Sequence, residues 1–153
     1  SGRLLPPQDA PEDMRRYLTE DGQGNGVFHL TKAVSLTARD VRNLQLAKAA
    51  VVGGIRVLLE QRGVTADDIA SVELAGGFGN YLSPENVVRI GMLPRACLSK
   101  IRPLGNTALA GASMLALDGE NWRKLAEIPE KCRYLELSGR DDFSRAFTDS
   151  LTF

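Results

Sequence analysis

Apolar and polar positions along this chain change period several times, and each change marks an element. Val27-Phe28-His29-Leu30 is a short apolar run preceded by Asp21-Gly22-Gln23-Gly24-Asn25-Gly26. The run reads as a strand and the glycine cluster as a turn, with Asn25-Gly26 as a hairpin signal. These glycines precede a strand, whereas a dinucleotide fingerprint follows one. Residues 34–36 extend or follow the strand, and Thr37-x-x-Asp40 approximates a capping box with Asp in place of Glu. Val41, Leu44, Ala47, Val51, Ile55 and Leu58 then recur every three or four residues. That spacing predicts a long helix over 38–62, stopped by Gly63 in the C′ position. Its length at full extent is about 37 Å. Gly53-Gly54 in its interior costs about 1 kcal/mol per glycine relative to alanine, which points to close packing of another backbone.

The remaining elements are shorter. Residues 1–26 are irregular and punctuated by Pro6, Pro7 and Pro11, with a short helix predicted over 12–18. Thr65 to Ile69 forms a helical turn, and 69–75 is a strand. Ser83-Pro84-Glu85 is an N-cap with proline at the first helical position, opening a helix that ends at Gly91. A turn over 94–98 leads to a weak strand over 101–104, whose Pro103 suggests a strand end or an edge. A helix of small residues follows Gly105-Asn106-Thr107 and breaks at Asp118-Gly119. A helix over 121–131, a strand over 133–137 and a last helix over 141–150 complete the chain. Alternating strands and helices predict an α/β fold with a mostly parallel sheet.

Composition narrows the function classes. The chain has 153 residues, 43% of them apolar and 25% charged, which is ordinary for one globular domain. Lys+Arg and Asp+Glu are both 19, so the net charge is zero. That balance argues against nucleic-acid or membrane-surface binding, and no stretch reaches the roughly 18 apolar residues of a membrane span. Cys97 and Cys132 lack metal or cluster spacing and read as reduced structural cysteines of a cytoplasmic protein. His29 is the sole histidine and reads as structural. Phosphate-loop, zinc-protease and serine-hydrolase motifs are all missing. Asp67-Asp68 and Asp141-Asp142 sit at helix starts, where they complement the dipole.

One stretch points to a ligand. Val72-Glu73-Leu74-Ala75 runs straight into Gly76-Gly77-Phe78-Gly79, and Asn80 to Glu85 open a helix. Glycines at the end of a strand let a ligand approach the backbone, and a helix N-terminus favours an anion. The same glycines also fit a bare β-to-α turn, so spacing alone leaves both readings open. Gln45 and Lys48 lie three apart on the long helix, share a face, and are either ligand-reaching groups or part of a solvated polar stripe.

Here a family resemblance adds to the residue-by-residue reading. Residues 72–79 are similar to the adenosine motif of the acetate kinase, sugar kinase, Hsp70 and actin (ASKHA) superfamily. LTARDVRNLQLAKAA at 36–50, LAGGFGNYL at 74–82, GNTALAGA at 105–112 and YLELS at 134–138, followed by Asp142-Phe143, resemble the C-terminal domain of reductive activators of corrinoid-dependent proteins. The resemblance covers residue 35 to the end. It implies a ribonuclease-H-like, actin-type ATPase lobe over 36–153, with 1–35 as an irregular leading segment. It further implies ATP or ADP with Mg²⁺ as cofactor, a [2Fe–2S] cluster in a separate N-terminal domain, and a corrinoid protein as partner. ATP hydrolysis would drive an electron onto Co(II) to give Co(I). Gly76, Gly77 and Phe78 would line the adenosine, Gly79 and Asn80 would lie beside it, and the helix from Ala108 would be the second connecting helix. The phosphate hairpins and the magnesium-holding acid of the superfamily are missing, and Ser1-Gly2-Arg3-Leu4 resembles mid-protein sequence. The expectation is a fragment, inactive alone and holding no nucleotide tightly. The alternatives are a non-catalytic module that docks the corrinoid protein or forms a homodimer, and the lobe of a 2-hydroxyacyl-CoA dehydratase-type activator.

Overall fold

The computed structural model describes residues 4–77 and 81–153. They divide into two compact units, 1–56 together with 144–153, and 57–143. The first unit opens with a 3-10 turn, Pro7–Asp9, and helix α1, Glu12–Arg15. Strands β1 (Leu18–Glu20), β2 (Gly26–His29) and β3 (Ser35–Thr37) then form an antiparallel meander. Leu18 pairs with Phe28, and Phe28 with Leu36.

The hairpin signal in the sequence is realised between β1 and β2. The Asp21 carboxylate accepts from the amides of Gln23 (2.8 Å) and Asn25 (2.9 Å) and from the Asn25 side chain, and these bonds hold its pKa below the ordinary value. Strand β1 was hidden in the sequence, because Tyr17-Leu18-Thr19-Glu20 has little apolar alternation. The helix predicted over 12–18 stops at Arg15, and Leu18 is taken up by β2 instead. The Thr19 hydroxyl and His29 Nε2 hydrogen-bond at 2.8 Å, which gives the histidine a structural partner.

Helix α2 spans Ala38–Arg62, the bounds its periodicity predicts. Its start is held by the capping box: the Thr37 amide and hydroxyl donate to Asp40 Oδ2 at 2.9 and 2.7 Å, and the Asp40 amide donates back to Thr37 Oγ1 at 3.2 Å. Gly63 ends it at φ +64°. The buried positions of α2 are not its large apolar stripe. Lys48, Ala49, Gly53, Gly54 and Val57 are buried, while Leu44, Val51 and Leu58 are exposed. The buried face of α2 is thus made mostly of small residues. Helix α6, Asp141–Asp149, carries the chain back into the first unit, where the Ser150 hydroxyl donates to the Ala146 carbonyl at 2.7 Å.

The second unit repeats the Thr-x-x-Asp device at the 3-10 turn Ala66–Asp68, where the Thr65 amide and hydroxyl reach Asp68 Oδ2 at 2.8 and 2.7 Å. Strand β4, Val72–Ala75, lies parallel to β5, Ile101–Gly105. Helix α3, Pro84–Arg89, starts at the expected Ser83 N-cap, whose hydroxyl accepts from the Asn86 amide. A 3-10 turn, Arg95–Lys100, leads into β5 and buries Cys97, which with Val57, Val87 and Leu93 is the apolar centre of this unit. Helices α4 (Thr107–Leu117) and α5 (Glu120–Lys131) follow. The strand expected over 133–137 is not formed. Its alternating pattern suits a sheet, yet among the described residues no strand pairs with it, and Tyr134 is exposed with its hydroxyl on Glu136 Oε2.

Candidate functional site at the end of the parallel pair

Strand β4 ends at Ala75, and Gly76 turns the chain out of the sheet at φ +95°, a conformation open to glycine and costly for other residues. Its neighbour β5 ends in Gly105 at φ +70°. The two glycines meet: the Gly76 amide donates to the Gly105 carbonyl at 2.8 Å. The ladder reaches this contact through an irregularity. Leu74 pairs with Pro103 and Ala75 with Gly105, so Leu104 is an extra residue on β5. Bulges are rare in parallel pairs and are over-represented beside functional sites.

The edge is open on the strand side. Among the described residues, no atom lies within 4 Å of the point a Cβ would occupy on Gly76 or Gly77. Phe78, Gly79 and Asn80, the other site residues expected here, lie outside the described residues. The sequence singled out Gly76 and Gly77 but not Gly105 as part of the edge. Its signal was a second strand-ending glycine, in Pro103-Leu104-Gly105-Asn106, followed by a capped helix. Asn106 Oδ1 accepts from the Leu109 amide at 3.0 Å and so caps α4.

Gln45 and Lys48 belong to the first unit. Gln45 is half-buried. Lys48 is only 3% exposed, so it is no member of a solvated stripe. Its Nζ donates to the Thr152 carbonyl and stands 4.9 Å from the centre of the Phe153 ring. Burial pushes its pKa below the usual lysine range. Among the described residues no group of three or more His, Cys, Asp or Glu could hold a metal ion.

With this geometry in place, the comparisons with known proteins decide the family. The model of the C-terminal domain of RACo, the ASKHA domain, matches residues 9–153. The chain belongs to the RACo C-terminal ASKHA-domain family. Its fold is accordingly that of an actin-like ATPase lobe, with helices and a parallel strand pair. The corrinoid activation enzyme RamQ of Eubacterium limosum is 34% identical over 122 residues, which cover 80% of this chain and 21% of RamQ. The [Co(II) methylated amine-specific corrinoid protein] reductase of Methanosarcina barkeri is 26% identical over 131 residues, 84% of this chain and 24% of that protein. Among solved structures, a reductive activator for corrinoid, iron–sulfur protein superposes with a TM-score of 0.82 at 29% identity, over 97% of this chain and 25% of its own. The chain thus spans about a quarter of the proteins that it matches. None of the helices among the described residues is long and apolar enough to cross a membrane.

Proposed function

We propose that this chain is the adenosine-side lobe of an ATP-dependent reductive activator that returns Co(II) corrinoid proteins to Co(I). The observation that carries the reading is the open Gly76-Gly77 edge at the end of β4, in a chain that matches the ASKHA domain over residues 9–153. Gly76 and Gly77 would pass under the adenosine, with Phe78, Gly79 and Asn80 continuing that wall and the α4 helix acting as the second connecting helix. The domain would comprise residues 36–153, with 1–35 leading into it. The phosphate clamps, the Mg²⁺ ligands and a [2Fe–2S] cluster would come from other parts of a longer, cytoplasmic protein. The cluster would pass one electron to Co(II), and ATP hydrolysis would make that uphill transfer favourable. Half of the nucleotide contacts lie outside this lobe, so the 153-residue chain binds ATP weakly and does not turn it over. Lys48 and Gln45 are the further candidates for reaching the nucleotide.

The experiment is ATP turnover coupled to Co(II) reduction in the full-length protein, with Gly77→Val as the variant. Loss of turnover with corrinoid-protein binding retained supports the nucleotide role. Robust Mg²⁺-dependent hydrolysis by the 153-residue chain alone would contradict the division of labour.

A second reading is favoured by α5. Trp122, Leu125 and Ile128 recur every three residues on this helix and are all exposed. In that reading the lobe docks the corrinoid protein or a second copy of itself through this stripe. Loss of docking with turnover intact in Trp122→Ser would support it.

A further inference from the structure

The Gly76-Gly77 edge is shaped by the strand beside it. Along Val72 to Leu74 the parallel ladder is regular, and each residue of β4 meets the next residue of β5 in step. At Pro103 the step breaks. Proline has no amide to give a ladder, so the pairing beyond it needs a new donor or a new register. The chain takes the second route. Leu104 is skipped and exposed, Ala75 pairs with Gly105, and the Gly105 carbonyl receives the Gly76 amide at 2.8 Å. Both glycines that share this bond have positive φ, +95° and +70°.

We propose that Gly105 is a positioning residue for nucleotide binding: through the Leu104 bulge it sets the height and direction of the Gly76-Gly77 edge. This inference rests on the functional reading above and adds a residue from a second strand to it. The bond occupies the Gly76 amide, so that amide is a structural donor and does not itself point at the ligand. Gly77 is then the first residue of the edge free to meet a ligand face, and its position is inherited from Gly105. A backbone edge offers a nucleotide contact surface only if it is fixed beforehand. A misplacement of about 1 Å costs up to about a hundredfold in a reaction that depends on positioning. A residue with a side chain at Gly105 must leave φ +70° or bear strain, and either change moves the carbonyl that holds Gly76.

The test compares Gly105→Ala and Gly105→Asn in the full-length protein, with ATP as the titrant. Asparagine tolerates the left-handed region better than alanine. The expected result is a rise in the KM for ATP of about tenfold in Gly105→Ala with kcat little changed, and a KM near wild type in Gly105→Asn. In parallel, amide exchange at Gly76 in the full-length protein should be slow in the wild type and accelerated in Gly105→Ala. If Gly105→Ala does not fold in the longer protein, Gly105→Asn and Gly105→Ser are read by the same two measurements. An unchanged KM in a variant whose Gly76 amide has become fast-exchanging overturns the inference while leaving the functional reading intact. A merely structural role lowers the amount of active protein and leaves KM unchanged, which is the same overturning result. Absence of ATP turnover in the wild type overturns the functional reading first, and this inference with it.

Discussion

Lys48 donates its ammonium to the main-chain carbonyl of Thr152, a contact that joins positions 104 residues apart in sequence. It ties α2 to the last residues of the chain, and the Phe153 ring lies over the same nitrogen at 4.9 Å. Among the described residues no carboxylate forms an ion pair with it. A buried cation held by a carbonyl and a ring bears a desolvation cost that these contacts offset only in part.

That imbalance gives the first prediction. Lys48→Met keeps the apolar stem and removes the charge, so it should match or exceed the wild type in stability. Lys48→Ala removes packed methylenes as well and should lose about 2 kcal/mol. Urea unfolding of both variants checks the pair. Between its lowered folded pKa and its ordinary unfolded value, the unfolded chain holds more protons, so stability rises with pH in that alkaline window. Lys48→Met should abolish the rise. If Lys48→Met is as stable as the wild type yet weakens ATP binding in the full-length protein, the lysine is a ligand group. Unchanged ATP binding removes Lys48 from the site.

The two glycines of the edge should separate by experiment. Gly76 holds φ +95°, and Gly76→Ala should cost about 1–3 kcal/mol in stability. Gly77 is not among the positive-φ glycines and has open space where a Cβ would sit. Gly77→Ala should therefore leave the melting temperature nearly unchanged and lower ATP affinity. Equal loss of stability in both variants would show that Gly77 serves the turn, not the ligand.

Gly26 meets a different constraint. A Cβ there would collide with the Leu5 carbonyl, a backbone atom that cannot swing aside as a side chain can. Gly26→Ala should cost about 1–3 kcal/mol, as overpacking does. The check is the denaturant midpoint at unchanged slope. The wild type should also resist limited proteolysis near Leu5 better than the variant.

How far these features were legible in the sequence depends on whether they are local. The Thr37-Asp40 box, the stop at Gly63 and the Ser83-Pro84 start all rest on residues within one turn, and each was visible as spelling. So was the glycine turn that ends β4 at Gly76. Strand β1 was not visible, because Leu18 to Glu20 become a strand only by pairing with β2. The strand expected over 133–137 failed for the converse reason: its alternation found no partner among the described residues. The burial of Lys48, which removes the solvated-stripe reading alone, was not visible either, since nothing near it in sequence announces that Thr152 and Phe153 cover it. Gly105 was read as a helix approach, and its part in the edge required the register of β5 against β4.

The carboxylates predict the acid limb of stability. Hydrogen bonds from Thr37 and Thr65 hold Asp40 and Asp68 below the ordinary value, the Asn25 and Gln23 amides do so for Asp21, and the Arg140 guanidinium does so for Asp142. For groups whose folded pKa is lowered, the contribution is complete above the unfolded value, about 4, and is lost as pH falls through the folded values. The urea midpoint should be flat from about pH 7 to 5 and should fall below about pH 4. Asp40→Asn and Asp68→Asn should be less stable than the wild type at neutral pH and should show a shallower acid decline. An acid limb unaffected by both substitutions would refute the assignment.

Helix α2 is bounded at one end by the Thr37-Asp40 box and at the other by Gly63, immediately before the Thr65-Asp68 turn. Both ends are pinned by local chemistry, so the helix works as a ruler with a fixed number of residues. One residue inserted after Val52 cannot be absorbed by fraying or by a looser cap. It would turn the rest of the helix by about 100° and lengthen the helix by about 1.5 Å. Val57 would leave the buried face and a neighbour would take its place. Point substitutions on the exposed stripe should be widely tolerated, whereas single insertions and deletions anywhere in α2 should not.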